Sequence, residues 1–546
     1  MIVPVVLLFA FVQPPRSAPA EQGFAADNQT ERMFDRLVDV LARETIAKHQ
    51  WRYPSEQQIH AMRARIADFR TFDRAALDRT RQEAYDLLEY EFSLYESSLR
   101  FFFYDEPFGP GGMHVVLPGE LCGMGFSKET DVVEYLQACR DIAGRFEAMI
   151  AFQREKASRG LLLSGAGMES AARWCESFVD LNEKNPLITT FDERIKPLKL
   201  PDELGRYYSE EARAVFYDVI VPAYDTAAEA LREMALEYDG GLRGLRELPA
   251  GREYADYLLR RMGCNPVGPT VALDLTLLEL EGQIEELIAR DRALPYRTTP
   301  IQKKATAKTL YNRLKEAAAK DFPPLPRGVK VTIAPMEDME ERAAYAGYYL
   351  VPGLRNYKNN YIFYNPDMST DTLYAVMAHE GIPGHLLQIT HGRAGDMPDY
   401  CKTLGYLGFI EGWAKYAENY AYKYMEGDAA QIDYRRLSRQ FDLLLRARLE
   451  LGVHIEGWDA AGIKAYVKQF FPNYGPQAGT FDEYWENYYQ LTALNGLRYA
   501  PYALGLLEME KLKKENAKLS DLEFHTEVLR RGAAPFSLVG KWLAQA

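Results

Sequence analysis

The stretch LYAVMAHEGIPGHLLQITHGR, Leu373–Arg393, contains the sequence His-Glu-Gly-Ile-Pro-Gly-His from His379 to His385. In the common zinc motif His-Glu-x-x-His, two histidines four residues apart on one helical face bind the metal, and the glutamate acts as general base. Here the second histidine comes two residues later. On a regular helix, a rotation of about 100° per residue would make the two side chains point about 120° apart. An unbroken helix could therefore not bring both imidazoles to one metal.

The Pro-Gly pair between the histidines offers a way to restore the spacing. Pro383 has no N–H to donate to the carbonyl of His379, and its ring would collide with that carbonyl, so the helix must break there. Gly384 tolerates the backbone angles of such a break. If the break absorbs the two extra residues, His385 returns to the place of an i+4 histidine. The alternative is a kinked core helix, but His379, His385 and His391, three of the chain's eight histidines, lie within thirteen residues.

A third ligand is offered by the helical stretch GFIEGWAKYAENYAYKY, Gly408–Tyr424. Glu411 follows His385 by 26 residues, which leaves room for a loop and a second helix packed beside the first. Two histidines and one distant glutamate form a known catalytic zinc set. The alternative for Glu411 is a surface carboxylate paired with Lys415 at i+4. Glu418, on the same helical face, is a second candidate ligand or an acceptor that orients a ligand imidazole.

The same pattern assigns the catalytic roles. Glu380 directly follows the first histidine, so it could act as general base on a metal-activated water without binding the metal. A charged tetrahedral intermediate also needs hydrogen-bond donors. Two later stretches could supply them: LLLRARLELGVHIEGW holds Arg448 and His454, and NGLRYAPYALG holds Arg498 and Tyr502. For each of these four residues, the alternative is an ordinary surface or core position.

Most of the chain shows the three- and four-residue spacing of apolar side chains that predicts helices. Between residues 329 and 364, three short β-branched or aromatic runs that end at prolines predict a small sheet. The segment DFPPLPRG, beginning at Asp321, is the best candidate boundary. We therefore predict a helical N-terminal region at 21–320 and a zinc-binding catalytic region at 321–546. The two regions could equally form one compact bilobal domain around a cleft.

Residues 1–20, MIVPVVLLFAFVQPPRSAPA, contain an apolar run followed by Ala-Pro-Ala, as in a signal peptide with its cleavage site. This predicts an exported protein, in the periplasm, cell envelope or medium, or a cytoplasmic one if the segment is not cleaved. No later stretch is long and apolar enough to span a bilayer, so no stable membrane insertion is expected. The net charge of −13 argues against a nucleic-acid partner. The sequence leaves the oligomeric state open.

Five motifs occur in a fixed order: HEGIPGHL, EGWAKYAE, RARLELGVH, GLRYAPYALG and LEFHTEVLRRGAAPFSLV. In these motifs the chain resembles the domain-of-unknown-function family 885, bacterial proteins grouped with the gluzincin metallopeptidases. The resemblance implies a mainly α, zincin-like fold. Together with the runs described above, we therefore expect a helical body around a cleft, with a small β-sheet next to the metal-binding helix. The resemblance also implies bound Zn²⁺. The site residues that it implies are the ligands His379, His385 and Glu411, the base Glu380, and His454 and Tyr502. His525 matches the family without a clear role, and a capping or core role is the better expectation.

Two positions depart from the family pattern. Leu386 replaces a second adjacent histidine, whose function is then missing or supplied by His391. Arg498 replaces a glutamine, so a fixed positive charge takes the place of an amide. A guanidinium can bind a carboxylate through two parallel hydrogen bonds. We therefore predict that Arg498, together with Arg448, binds substrate, and that Arg498 receives a substrate carboxylate as in a carboxypeptidase.

Three functions are compatible with the sequence. The first is a zinc-dependent hydrolase of peptide or related amide bonds, whose partner is a peptide or a small amide substrate. The second is a non-catalytic exported protein that binds peptides and retains a metallopeptidase fold. The third is a metal-dependent hydrolase of a non-peptide amide or ester. The complete set of His379, Glu380, His385 and Glu411 favours an enzyme, because a pure binding protein need not keep a general base.

Overall fold

A computed structural model describes the chain as a mainly helical protein with one small sheet. The predicted signal peptide at 1–20 lies outside the described residues. The structure describes residues 29–45, 51–238, 240–297, 300–336, 345–470 and 478–545.

The part of the chain before residue 320 is helical, as its apolar spacing predicted. Several of its helices begin at a Ser, Asp or Thr whose side chain accepts a backbone N–H that the first turn leaves free. The helices are α1 (Gln29–Thr45), α2 (Glu56–Phe69), α3 (Arg79–Ser93), α4 (Tyr95–Arg100), α5 (Met113–Gly123), α6 (Glu129–Arg140), α7 (Ile142–Ser158), α8 (Gly165–Asp180), α9 (Pro186–Thr189), α10 (Phe191–Ile195), α11 (Asp202–Val215), α12 (Val221–Glu237), α13 (Gly251–Arg261), α14 (Pro269–Arg290) and α15 (Ala307–Ala318).

A three-stranded sheet follows, within the range that the sequence predicted. Its strands are β1 (Lys330–Pro335), β2 (Gly347–Leu350) and β3 (Asn359–Tyr364). The strand order is β1-β3-β2, with β1 parallel and β2 antiparallel to β3. A Cβ atom on Gly347 would lie 2.3 Å from Val376, so the sheet packs closely on the helix that leads to His379.

The remaining helices follow the sheet in the chain. The helix that carries Gly408 and the helix that carries Gly505 pack closely at these two glycines, because a Cβ atom on Gly505 would lie 2.0 Å from the carbonyl oxygen of Gly408. The helices are α16 (Thr370–Val376), α17 (His385–Ala394), α18 (Asp399–Thr403), α19 (Leu407–Ala421), α20 (Ala429–Leu451), α21 (Ala460–Phe470), α22 (Ala478–Asn495), α23 (Ala500–Glu515), α24 (Asp521–Leu529) and α25 (Phe536–Leu543).

Two buried apolar clusters form the core. One consists of side chains from α5 to α12 and the loops between them. The larger one combines α1–α4 with the sheet and with helices α13–α25. Residues on both sides of position 320, such as Leu310 and Phe322, belong to this larger cluster. No helix in the described part of the chain is long and apolar enough to cross a membrane.

Candidate metal centre

The helix that carries the first histidine breaks before the second. Ser369 caps α16, and its hydroxyl accepts the N–H of Thr372 at 3.2 Å. The last turn, Met377–Gly381, is a wider π-type turn, and regular helix resumes at His385. The intervening backbone is held by Trp413, whose indole N–H donates to the Pro383 carbonyl at 3.1 Å. The break predicted at the Pro-Gly pair is therefore present.

Gly384 is required by the space around it. A Cβ atom on this residue would lie 1.8 Å from the carbonyl oxygen of His379 and 2.5 Å from that of Ala378. Its own N–H donates to the Ala378 carbonyl at 2.9 Å. The chain thus folds back tightly onto the preceding turn, and this return brings His385 beside His379.

Three side chains converge at the break. Nε2 of His379 lies 3.6 Å and Nε2 of His385 lies 3.5 Å from Oε2 of Glu411. Tetrahedral zinc with bonds of about 2.1 Å separates its ligand atoms by about 3.4 Å. All three side chains are buried, and among the described residues they form the one group of three or more His, Cys, Asp or Glu placed to hold a metal ion.

Six buried polar atoms of these three side chains and of Glu380 have no hydrogen-bond partner in the described structure. They are Nε2 of His379 and His385 and both carboxylate oxygens of Glu411 and Glu380. Each such atom costs about 1–3 kcal/mol when it is left unpaired in the interior. The donor set, two imidazoles and a carboxylate, is one that zinc prefers. These residues therefore fit a zinc ion, with Glu380 beside it.

A buried charge network orients His379. Its Nδ1 lies 3.2 Å from Oε2 of Glu418, whose carboxylate also accepts from Lys415 at 2.6 Å and from Arg439 at 2.8 Å. Burial opposes ionisation of Glu418, but Lys415 and Arg439 outweigh it and hold the pKa well below its usual value. Lys415 thus pairs with Glu418, and Glu411 is not the surface partner of Lys415 that the alternative required. Glu418 thus contacts the imidazole that it was predicted to orient, and the orienting role itself stays a prediction.

His385 has an orienting partner that the sequence analysis missed. Its Nδ1 lies 3.4 Å from Oε1 of Gln388, and the amide of Gln388 donates to the carbonyl of Phe409 at 3.4 Å. Phe409 lies on α19, the helix of Glu411. The available signal was the spacing of three residues from His385, which places Gln388 on the same helical face.

Glu380 is fully buried between the histidines and the sheet. Burial raises the pKa of its carboxyl above the ordinary value, against the lowering influence of His379 and His385. The backbone of Tyr349 in β2 also lies close to this carboxyl and acts to lower its pKa. A carboxyl with a raised pKa is suited to accept and return a proton.

Residues 42–542 match a family described as "Bacterial protein of unknown function (DUF885)". The chain belongs to this family. The family part of the resemblance is thereby confirmed, whereas its gluzincin part stays a prediction. A search among curated proteins gives no match.

Two solved structures share the fold of this DUF885 protein. "The putative lipoprotein from Colwellia psychrerythraea" is 17% identical, with a TM-score of 0.75 over 95% of this chain and 99% of that chain. A "putative lipoprotein of unknown function from Shewanella oneidensis" is 14% identical, with a TM-score of 0.64 over 95% of this chain and 100% of that chain. At these identities the likeness concerns the fold alone.

Tyr502 of the DUF885 chain lies at the candidate centre, on the first turn of α23. Burial and the neighbouring Glu411 carboxylate raise the pKa of its hydroxyl well above the ordinary value. The close contact of α19 with α23 at Gly408 and Gly505 brings the two residues together. Arg498 precedes α23, and its charge acts on Tyr502 in the opposite direction.

His454 and Arg448 have other partners. Nδ1 of His454 accepts the N–H of Leu245 at 3.1 Å, and its Nε2 donates to the carbonyl of Thr492 at 3.0 Å. Arg448 pairs with Asp274 and Glu456 and lies over the ring of Trp458. Neither side chain bonds to the histidines or glutamates of the candidate centre in the described part of the chain. These contacts favour structural roles and give no support to the catalytic and substrate-binding roles predicted for them.

The other motif histidines are also held elsewhere. Nε2 of His391 lies 2.9 Å from the carbonyl of Pro324, and Leu386 is fully buried in the apolar core, so His391 does not replace the missing family histidine at the centre. His525 donates from Nδ1 to the carbonyl of Asp321 at 2.7 Å and accepts from Tyr416 at 2.9 Å. The core role expected for His525 agrees with these contacts.

His454 and His525 should make the fold sensitive to acid. Burial lowers the pKa of each to about 4, against an ordinary value of 6.5. As the pH falls, the histidines of the unfolded chain bind protons before those of the folded chain. The contribution of the two neutral histidines to the free energy of unfolding is therefore fully present above pH 6.5 and is lost as the pH drops towards 4. At pH 5 we expect a loss of about 2 kcal/mol per histidine.

Denaturant unfolding of chelator-treated protein at pH 8 and pH 5 measures this loss. The variant His525→Gln should be less stable at pH 8, because its hydrogen bonds change, but should lose about 2 kcal/mol less than wild type between the two pH values. An equal loss in both proteins would contradict the assignment of a neutral, buried His525.

Proposed function

We propose that the protein is a zinc-dependent hydrolase of peptide or related amide bonds. The observation that supports this most strongly is the group of six unpartnered atoms on His379, His385, Glu411 and Glu380. Three of these side chains supply the ligand set of a catalytic zinc, which keeps a position open. The fourth, Glu380, is a buried carboxylate with no Lys or Arg partner among the described residues, which a protein that only binds peptides would have no reason to maintain.

Zinc held by these ligands would acidify a water molecule and polarise the carbonyl of the scissile bond. Glu380 takes a proton from the attacking water and returns it to the leaving amine. Tyr502 keeps its proton, because burial and Glu411 raise its pKa, and so it can donate a hydrogen bond to the oxygen that becomes negative. Glu418 and Gln388 fix the orientation of the two imidazoles.

We also propose that the enzyme is exported. The apolar segment at 1–20 with its Ala-Pro-Ala sequence resembles a cleaved signal peptide, and both solved structures with this fold carry the description "putative lipoprotein". An exported hydrolase of this kind would act on peptides outside the cytoplasm. A mature N-terminus near residue 21 in protein purified from a secreting host is the expected result, and an intact N-terminus there would contradict export.

Digestion of a peptide library, read by mass spectrometry, tests the activity. We expect cleavage by the zinc-loaded protein, loss of cleavage after treatment with a chelator, and recovery when zinc is added back. Cleavage that resists the chelator would show a different mechanism or a contaminating peptidase. If peptides are not cleaved but small esters or non-peptide amides are, the mechanism stands and the substrate is a non-peptide compound.

A further inference from the structure

The turn that leads into α23 is fixed by a buried carboxylate from another helix. Glu450 of α20 is 1% exposed and accepts three backbone N–H groups: Arg498 at 2.5 Å, Tyr499 at 2.8 Å and Ala500 at 2.7 Å. Hydrogen bonds to an ionised acceptor are about twice as strong as neutral ones. Burial raises the pKa of Glu450 to about 7, although the three N–H groups act to lower it. The backbone of Arg498 is therefore held in one place.

The side chain of Arg498 is not used in the fold. It is partly exposed, and in the described part of the chain its guanidinium makes no hydrogen bond and no ion pair at contact distance. The arginines nearby on α20 differ in this respect, because Arg446 pairs with Asp442 and Arg448 pairs with Asp274. No ion pair at contact distance joins the Arg498 guanidinium to Glu450 among the described residues, although its charge acts to lower the pKa of Glu450.

Arg498 also lies near the candidate metal centre. It precedes Tyr502 by four residues, at the entry to the same helix. Tyr502 lies on the first turn of α23, and the close contact of Gly505 with Gly408 brings this helix against α19, the helix of Glu411. A guanidinium that is anchored through its backbone and free in its side chain is suited to a planar anion such as a carboxylate.

We propose that Arg498 binds a carboxylate of the substrate, and that Glu450 is the positioning residue that holds Arg498 for this purpose. The inference rests on the proposed function and specifies its substrate class: peptides that carry a carboxylate close to the scissile bond. This carboxylate can be the C-terminal group, which would make the enzyme a carboxypeptidase, or the side chain of an Asp or Glu.

Matched peptides separate the two sources of the carboxylate. One pair differs only in a free or amidated C-terminus, and a second pair differs only in Glu or Gln at the terminal residue. We expect wild type to favour the carboxylate member of one pair in kcat/KM by about tenfold or more, from the usual strength of a charged hydrogen bond. Equal kcat/KM within both pairs would overturn the proposal.

Three variants test the assignment to Arg498. Arg498→Gln should remove the preference, mainly by raising KM for the carboxylate peptide, while Arg498→Lys should retain part of it. Lys514→Gln, which removes an exposed charge from the C-terminal end of α23, is the matched control and should leave the preference unchanged. The Arg498 substitutions should fold normally because the side chain has no internal partner. A preference that survives in Arg498→Gln would contradict the proposal.

Glu450 is tested through its effect on Arg498. The variant Glu450→Gln should lower the carboxylate preference, because its amide N–H groups would face the backbone N–H groups of the turn. In the double variant with Arg498→Gln, the preference should fall no further than in Arg498→Gln alone. An additive loss would show that Glu450 does not act through Arg498.

If wild type cleaves none of these peptides, the proposed function fails separately from this inference. Equilibrium binding of the same peptides to zinc-loaded wild type and to Arg498→Gln then gives the answer. Tighter binding of the carboxylate member by wild type only supports the carboxylate site, and equal binding by both proteins rejects it.

Discussion

Replacing Glu380 by glutamine is expected to lower kcat by about 10²–10⁴-fold, the usual contribution of a general base. The amide has nearly the same shape as the carboxylate but cannot take up the proton. Glu380 is not among the three side chains grouped as possible metal ligands, so bound zinc should stay close to the wild-type level. Steady-state kinetics on a cleaved peptide, together with metal analysis of the same sample, measures both quantities.

The control for this variant is Glu515→Gln, which removes an exposed carboxylate from the end of α23 and should leave kcat unchanged. Wild-type turnover in Glu380→Gln would remove Glu380 from the role of base. Loss of zinc together with loss of activity would assign Glu380 to metal binding instead.

The substitution Gly384→Ala should separate the two histidines. The added Cβ atom would lie 1.8 Å from the carbonyl oxygen of His379, and because both groups belong to the backbone, neither can rotate away. The turn between Ala378 and His385 must then open. We expect zinc affinity to fall by about tenfold or more and the free energy of unfolding to fall by about 3 kcal/mol.

Gly405→Ala is the matched control, because no heavy atom lies within 4 Å of the Cβ position at that residue. Competition with a chromophoric chelator gives the zinc affinity, and denaturant unfolding of the metal-free protein gives the stability. Wild-type affinity in Gly384→Ala would mean that the tight return at Gly384 is not what places His385 beside His379.

The parts of the site that sequence could predict are those encoded by local spacing. The break at Pro383 follows from the missing N–H of proline, and the strands follow from β-branched and aromatic runs that end at prolines. Glu411 could be predicted as a ligand from the sequence, because its helix carries an apolar and aromatic face, which indicates burial. The orienting role of Glu418 was predicted because it lies two turns from Glu411, on the same face of the helix.

The parts that sequence could not predict depend on contacts between distant segments. In the sequence, Glu450 looks like any other helical glutamate. Only the packing of α20 against α23 lets its carboxylate accept hydrogen bonds from three backbone N–H groups. Arg439 reaches Glu418 from another helix in the same way. His454 lies in a family motif, but nothing in the neighbouring sequence indicates its two backbone partners, Leu245 and Thr492, which are far away in the sequence.

The zinc content of the purified protein tests the central claim most directly. After incubation with zinc and removal of the excess, mass spectrometry of the metal should find one zinc ion per wild-type chain, and much less than one in His385→Ala and in Glu411→Ala. A zinc content near zero in wild type, or an unchanged content in both variants, would contradict the assignment of His379, His385 and Glu411 as a metal centre.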